Sequence, residues 1–284
     1  VVLGFAACRA CAHCDAGEPS YCSSFSELNF GGCRPDGTTS LRDENGPVSS
    51  HFFGQSSFAS HAIVAAKNVV KVPATAPLKL LGPLGCGIMT GAGAMFNTLA
   101  VSAADSVLVS GGGPVGLSGV MAAASVGAKV IIVVDPLESR RELAKQLGAT
   151  HGIDPTAGNV AEQVRAIVPA GVTRILDTSG NSAALEAAVS VLGPRGRLAM
   201  VGVPKSLDAT ITIQPLPLLS TGASVHGVTE GDADPRILIP QLIALYEQGR
   251  FPFNRLITEY PLEKINEAID DQHAGKCVKA ILTV

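Results

Sequence analysis

Along the middle of the chain the apolar positions come in two alternating kinds of run, and that alternation predicts the fold. Ser106–Ser110 is a short β-branched apolar run of strand length. Small and apolar residues then fill 115–126 up to Gly127, as in a buried helix. Residues 129–135 form a second apolar run that ends in an acid, Asp135. From Ser139 to Leu147 the spacing of Leu143 and Leu147, four apart, with Gly148 behind them, predicts an amphipathic helix with a glycine stop. Two more strands are predicted over 173–178 and 197–203, with a helix over 182–192 between them. Strands alternating with helices predict an α/β fold with a doubly wound parallel sheet. Near the C-terminus Leu262, Ile265 and Ile269 mark the apolar face of a short helix that precedes an apolar strand over 278–284. The stretch 31–60, rich in Gly, Ser and Asp, predicts an extended loop. No internal repeat and no low-complexity linker interrupts this order.

The longest apolar stretch, 115–134, contains Lys129 and several glycines, so it predicts a helix followed by a strand, not a membrane span. The length of 284 residues leaves room for two domains. A formal charge of −3, from 21 basic and 24 acidic residues, provides no field for nucleic acid or an anionic membrane, so neither partner is expected.

Candidate chemistry concentrates in two places. The first is Cys8, Cys11, Cys14 and Cys22, spaced C-x2-C-x2-C-x7-C. Four thiolates on one short loop suit a closed tetrahedral site of the kind structural zinc occupies. An iron–sulfur run spaces its last cysteine by about three residues and follows it with proline; here the gap is seven and Ser23 follows. No secretory leader is recognisable, so metal binding in a reducing cytoplasm is expected in preference to disulfides. Three cysteines remain, Cys33, Cys86 and Cys277. Cys33 and Cys277 are expected to be ordinary thiols. His13 lies inside the lobe but is expected outside the tetrahedron that four cysteines fill. His51 and His61 could relay a proton, although satisfied or solvent-facing histidines are the commoner case.

The second place is Gly111-Gly112-Gly113-Pro114-Val115-Gly116, a G-x-G-x-x-G run between the first predicted strand and its helix. Its first glycine permits the tight turn, the second lets backbone approach a pyrophosphate, and the third lets helix and strand pack closely. Free N–H groups at the helix start face the phosphates. Asp135, nineteen residues after Gly116, stands where a carboxylate accepts the ribose hydroxyls. That acid repels a 2′-phosphate, so NAD is expected over NADP, with Arg140 as the one residue that could favour the phosphate.

The cysteine lobe, the stretch Gly82-Pro-Leu-Gly-Cys86-Gly-Ile-Met-Thr90-Gly91, the glycine fingerprint and the ending Gly275-Lys-Cys-Val-Lys279-Ala-Ile-Leu occur in the order of the zinc-containing medium-chain alcohol dehydrogenases, which the whole chain resembles. Phe52-Phe-Gly-Gln-Ser-Ser-Phe58-Ala makes it most similar to the aryl-alcohol (benzyl-alcohol) dehydrogenases within that family. The resemblance implies a Rossmann sheet over 87–227 and a partial, β-rich, GroES-like catalytic domain from 1–86 and 228–284. It implies that Cys86 is a thiolate ligand of a catalytic zinc and that Thr90 contacts the nicotinamide. It further implies that residues 111–116 hold the pyrophosphate, Asp135 the ribose, and Arg140 the adenosine side. Val201, Gly202 and Val203 would hold the carboxamide through their backbone, and Lys279 would meet the cofactor phosphates. The activity implied is zinc-assisted hydride transfer between a primary alcohol and NAD, in a cytoplasmic homodimer or homotetramer.

The pattern departs from the family at its start. Family members carry an upstream segment with another catalytic cysteine and a Gly-His-Glu motif, neither of which occurs here, so one catalytic-zinc ligand is expected where three are needed. The expectation is a piece of a larger enzyme, inactive alone. The alternatives are a non-catalytic protein that binds NAD and structural zinc, and a lyase on the same scaffold.

Overall fold

A computed structural model describes residues 2–284. Its strands are β1 (Val2–Leu3), β2 (Leu41–Asp43), β3 (Gly46–Val48), β4 (Val69–Val70), β5 (Ser106–Ser110), β6 (Val130–Val134), β7 (His151–Ile153), β8 (Val172–Asp177), β9 (Leu192–Met200), β10 (Ser224–Gly227), β11 (Ile257–Pro261) and β12 (Lys279–Thr283). Its α-helices are α1 (Ala12–Asp15), α2 (Phe25–Phe30), α3 (Gly87–Gly93), α4 (Pro114–Ser125), α5 (Glu138–Gln146), α6 (Val160–Ile167), α7 (Ser182–Ser190), α8 (Pro215–Thr221), α9 (Pro235–Glu247) and α10 (Ile265–His273). The chain divides into two compact units. One comprises residues 1–86, 233–243 and 254–284, the other residues 87–232 and 244–253.

The second unit is an α/β fold around a six-stranded parallel sheet in the order β10-β9-β8-β5-β6-β7. The strand order reverses between β5 and β8, the switch point where such sheets bind ligands beyond their carboxyl ends. Parallel central strands are covered on both faces, which is why Val107, Leu108 and Val109 of β5 and Ile131, Ile132 and Val133 of β6 are all buried without alternation. Leu108, Ile132, Ile175 and Leu198 meet Val164 of α6 and Ala188 of α7 in one core. Fully burying each such side chain contributes about 1.5–3 kcal/mol. On the other face α4 presents small residues. Ala122 and Ala123 are buried, and a Cβ on Gly119 would reach Leu176 Cδ2 at 2.6 Å, so the helix lies close to the sheet. Helices α6 and α7 start on asparagine caps: Asn159 and Asn181 accept amide hydrogen bonds from Glu162 and Ala184. The turn at residues 230–232 and the segment 244–253, expected with the flanking domain, pack in this unit. Phe251 and Phe253 are fully buried there, with Tyr246 against Phe253.

The first unit is built from smaller sheets. β1 pairs antiparallel with β4, β2 with β3 in a hairpin, and β11 runs parallel to β12. The hairpin and a 3-10 turn at Phe52–Gly54 lie in the stretch expected to be an extended loop. An aromatic chain runs Phe5–Phe25–Phe30–Phe53, with Phe52 at its side. A smaller cluster joins Tyr260, Ala268 and Cys277 to β12. Among the described residues no helix is long and apolar enough to cross a membrane.

Candidate functional site

The cysteine lobe is nearly free of regular structure: α1 is one turn and buries no residue. It is organised by its sulfurs. The Sγ atoms of Cys8, Cys11, Cys14 and Cys22 all lie within 4.8 Å of one another, and Cys8 and Cys14 are 4.0 Å apart. A zinc–sulfur bond of about 2.3 Å places the sulfurs of a tetrahedron about 3.8 Å apart, so the donor set fits zinc. Backbone amides already point at three of the sulfurs: Cys8 N–H at Cys22, Ala10 N–H at Cys8 and Ser23 N–H at Cys11. Such donors favour thiolates. The Ser23 amide, followed by the backbone of Cys14, draws the Cys11 thiol down to about 5. Burial, reinforced by the Cys11 thiol, pushes Cys14 up to about 11. A divalent cation shared by the four sulfurs would favour the thiolate form of each. His13 turns away to Glu18, 3.4 Å off and exposed. Arg9, at a left-handed φ of 61°, carries its guanidinium to the buried Asp234 at 3.0 Å and ties the lobe to the start of α9. Lys67 donates to the Cys8 carbonyl.

The glycine run forms the turn between β5 and α4. Gly111 adopts φ 99°, which side chains rarely take, and a Cβ there would strike Thr178 Oγ1 at 2.6 Å. A Cβ on Gly116 would collide with the Gly111 carbonyl oxygen, so the helix starts directly against the turn. Gly113 has open space beside it and Pro114 opens α4 at a position where its missing N–H costs nothing. Asp135 ends β6 and its Oδ2 accepts the Gly112 amide at 2.7 Å, while Oδ1 accepts Leu137 N–H at 2.8 Å. Arg140 is buried, and its Cβ lies 3.0 Å from where a Gly112 Cβ would be. The cradle, the acid and the arginine thus stand together, and of the three glycines Gly113 has open space beside it.

Val201 and Gly202 follow β9, and both amides donate to the Asp177 carbonyl, at 2.9 and 3.1 Å. Val203 is 86% exposed. Thr90 is buried on α3, and the next residue, Gly91, touches the Val115 carbonyl at the first turn of α4. Cys86 belongs to the other unit. It is exposed after a 3-10 turn and lines a cavity of about 480 Å³ with Lys279, Phe58, Leu262, Ile269 and Leu282. Among the described residues the four-cysteine lobe is the one metal-ligating cluster, and Cys86 is outside it. His51 is buried and bonded through Nδ1 to Ser50 at 2.9 Å, whereas His61 is exposed.

Two polar groups of this unit escape sequence reasoning. Asp177 is buried at the end of β8, accepting from the Ser179 hydroxyl and the Gly180 amide. Glu230 accepts the Thr90 hydroxyl at 3.3 Å, and burial pushes it up to about 7 against the pull of that hydrogen bond. The signal for Asp177 was its place at the end of a strand; for Glu230 there was none nearby in sequence.

A nucleotide-type parallel sheet with a glycine cradle, on a chain that also carries a four-thiolate lobe, defines the class of metal-bearing dehydrogenases. The sequence model described as zinc-binding dehydrogenase matches residues 114–248. The chain is 44% identical to the geraniol dehydrogenase of Castellaniella defragrans over 99% of its own length and 76% of that protein's. It superposes with a TM-score of 0.97 on an alcohol dehydrogenase zinc-binding domain protein from Burkholderia ambifaria, at 48% identity over all of this chain and 77% of that one. For the benzyl alcohol dehydrogenase of Acinetobacter calcoaceticus the TM-score is 0.96 and the identity 43%, with 100% and 77% covered. The chain belongs to the zinc-binding dehydrogenases of the medium-chain alcohol dehydrogenase family.

Proposed function

We propose that this protein is an oxidoreductase that moves hydride between NAD and a primary alcohol of the benzylic or similar activated type. The observation that carries the reading is the cradle, with its open glycine backbone closed by the Gly112–Asp135 hydrogen bond. Bound NAD would supply the hydride acceptor; a catalytic zinc would supply Lewis acidity at the alcohol oxygen, and of the three protein ligands it needs Cys86 is the one these residues offer. The chain's own residues do the rest. The amides at the start of α4 hold the diphosphate, and Asp135 exchanges its Gly112 contact for ribose hydroxyls, disfavouring a 2′-phosphate. Thr90 and the backbone of residues 201–203 orient the nicotinamide end. Cys8, Cys11, Cys14 and Cys22 hold a structural zinc, and Cys86 is a ligand of the catalytic one.

The relatives support the substrate class. One is named for geraniol and one for benzyl alcohol. Both alcohols carry an unsaturated carbon on the carbinol carbon, so that loss of hydride gives a conjugated aldehyde. The experiment is NADH formation by the intact, zinc-loaded protein with NAD and benzyl alcohol, with and without a chelator. Chelator-sensitive NADH formation is expected. An intact, zinc-loaded protein that forms no NADH from benzylic or allylic alcohols overturns the reading.

A further inference from the structure

Glu230 is held in place at some cost, and the way it is held points to a use. Three consecutive residues, Glu230, Gly231 and Asp232, have left-handed φ values of 51°, 73° and 49°. Two are not glycine, so the turn is intrinsically unfavourable and persists only because its surroundings dictate it. The surroundings are α3 and the π-helical turn Ala94–Thr98 that extends it. Asn97 donates from Nδ2 to the carbonyls of Gly231 and Asp232, at 3.1 and 3.0 Å, and the Thr98 hydroxyl donates to Asp232 Oδ2 at 2.5 Å. Gly93 and Gly231 lie so close that a Cβ on either would overlap the other's backbone. The product of this clamp is one carboxyl turned inward to Thr90.

Among the described residues Glu230 is in no salt bridge. The helical stretch 87–98 packed against it carries no titratable side chain at all. On its own turn the other acid, Asp232, faces Thr98, and Arg197 reaches the Thr98 carbonyl at 3.4 Å. Burial without a counter-charge is what lifts Glu230 to about 7. A group so placed is half ionised near neutrality, and a cation brought beside it is favoured in proportion to that ionised fraction. Thr90 sits one residue before the contact of Gly91 with the first turn of α4, at the nicotinamide end assigned above. The nicotinamide ring is cationic when oxidised and neutral when reduced.

We propose that Glu230 is a charge-selecting positioning residue of the dinucleotide site: it fixes the Thr90 hydroxyl, and its carboxylate favours the oxidised, cationic cofactor over the reduced, neutral one. The inference rests on the dinucleotide reading of the cradle. Binding of the oxidised cofactor draws Glu230 further into its ionised form and releases a fraction of a proton to solvent; binding of the reduced cofactor does not.

The test is calorimetric titration of the intact protein with NAD and, separately, NADH between pH 5.5 and 8.5, for the wild type and Glu230→Gln. Gln keeps an acceptor for Thr90 and removes only the charge. In the wild type the NAD affinity should rise about five- to ten-fold across neutrality, the size of a charge–charge attraction over several ångströms in a partly buried site, while NADH affinity stays flat. Buffers of different ionisation enthalpy should reveal proton release with NAD alone. In Glu230→Gln both cofactors should be pH-independent, NAD at the weak, acid-side limit. A wild-type NAD-to-NADH affinity ratio that does not change with pH overturns the proposal without reference to any variant, as does an unchanged slope in Glu230→Gln. Failure of both cofactors to bind at any pH overturns the dinucleotide reading as well, an outcome distinct from binding without pH dependence.

Discussion

The cysteine lobe and the glycine cradle are built by opposite strategies. In the lobe four side chains from fifteen residues converge, the backbone around them has almost no regular structure, and nothing in α1 is buried. In the cradle glycines bring backbone and turn close together, and six paired strands hold it. On the proposed reading the lobe is an object that a metal would make, and the cradle one that the hydrophobic core makes. Metal would supply most of the first's folding energy, whereas a dinucleotide would add to a unit that its core already holds folded.

The largest expected effect separates the two. Stripping the lobe of metal, or replacing Cys14 by serine, should remove stabilisation on the order of 10 kcal/mol from residues 8–22. Protease should then cut within the lobe while the parallel-sheet unit retains its own unfolding transition, read by circular dichroism. A stoichiometry of one zinc lost per lobe should accompany the cutting. Simultaneous loss of both units' structure would show that the lobe is not a local object.

Gly116→Val attacks the cradle in the converse way. The new Cβ meets the Gly111 carbonyl, which belongs to the same turn and cannot retreat without opening β5 from α4. Overpacking of this kind costs about 3 kcal/mol. It should lower the unit's melting temperature and abolish dinucleotide binding, while zinc content stays unchanged. Asp135→Asn is milder. It keeps the shape and weakens the Gly112 contact and the ribose site, so NAD should bind about ten- to a hundred-fold less tightly, the range of a charged hydrogen bond. NADP should lose little, and the narrowing of the NAD-to-NADP ratio is the quantity to measure.

The same contrast explains what was legible in the chain. The lobe could be read because its ligands lie within one loop, so that spacing alone carries the geometry. The cradle could be read because strand, glycines, helix, strand and acid follow in order, and the predicted boundaries fall within a residue or two of β5, α4 and β6. β9 starts at Leu192, earlier than the expected 197, because Gly193, Pro194 and Gly196 disguise its first half as a turn. α9 escaped because Pro240 sits in its middle and its apolar residues are nearly continuous. Glu230 escaped for a stronger reason. Its contact with Thr90 spans 140 positions and depends on a left-handed turn that neither Glu nor Asp favours.

The smallest expected effect is a pH dependence with two limbs, both within the parallel-sheet unit. Burial alone would raise Asp105. The Ser102 hydroxyl and amide, the Thr173 hydroxyl and the Arg174 guanidinium together hold it below the ordinary carboxylate range. Its contribution to stability is present above the unfolded-state value and is lost as the pH falls through the folded one. Glu230 has the opposite sign: its folded value, about 7, lies above the ordinary 4.5, so its contribution is present below 4.5 and fades as the pH rises through 7. The melting temperature of the unit should therefore decline along an alkaline limb as the pH rises from 4.5 to about 7, and along an acid limb as the pH falls below the ordinary carboxylate range. Asp105→Asn should flatten the acid limb and lower the plateau, because Arg174 loses its partner. Glu230→Gln should flatten only the alkaline limb, by a few degrees. If Glu230→Gln leaves that limb unchanged, the carboxyl is solvated in solution, and the clamp on residues 230–232 serves packing alone.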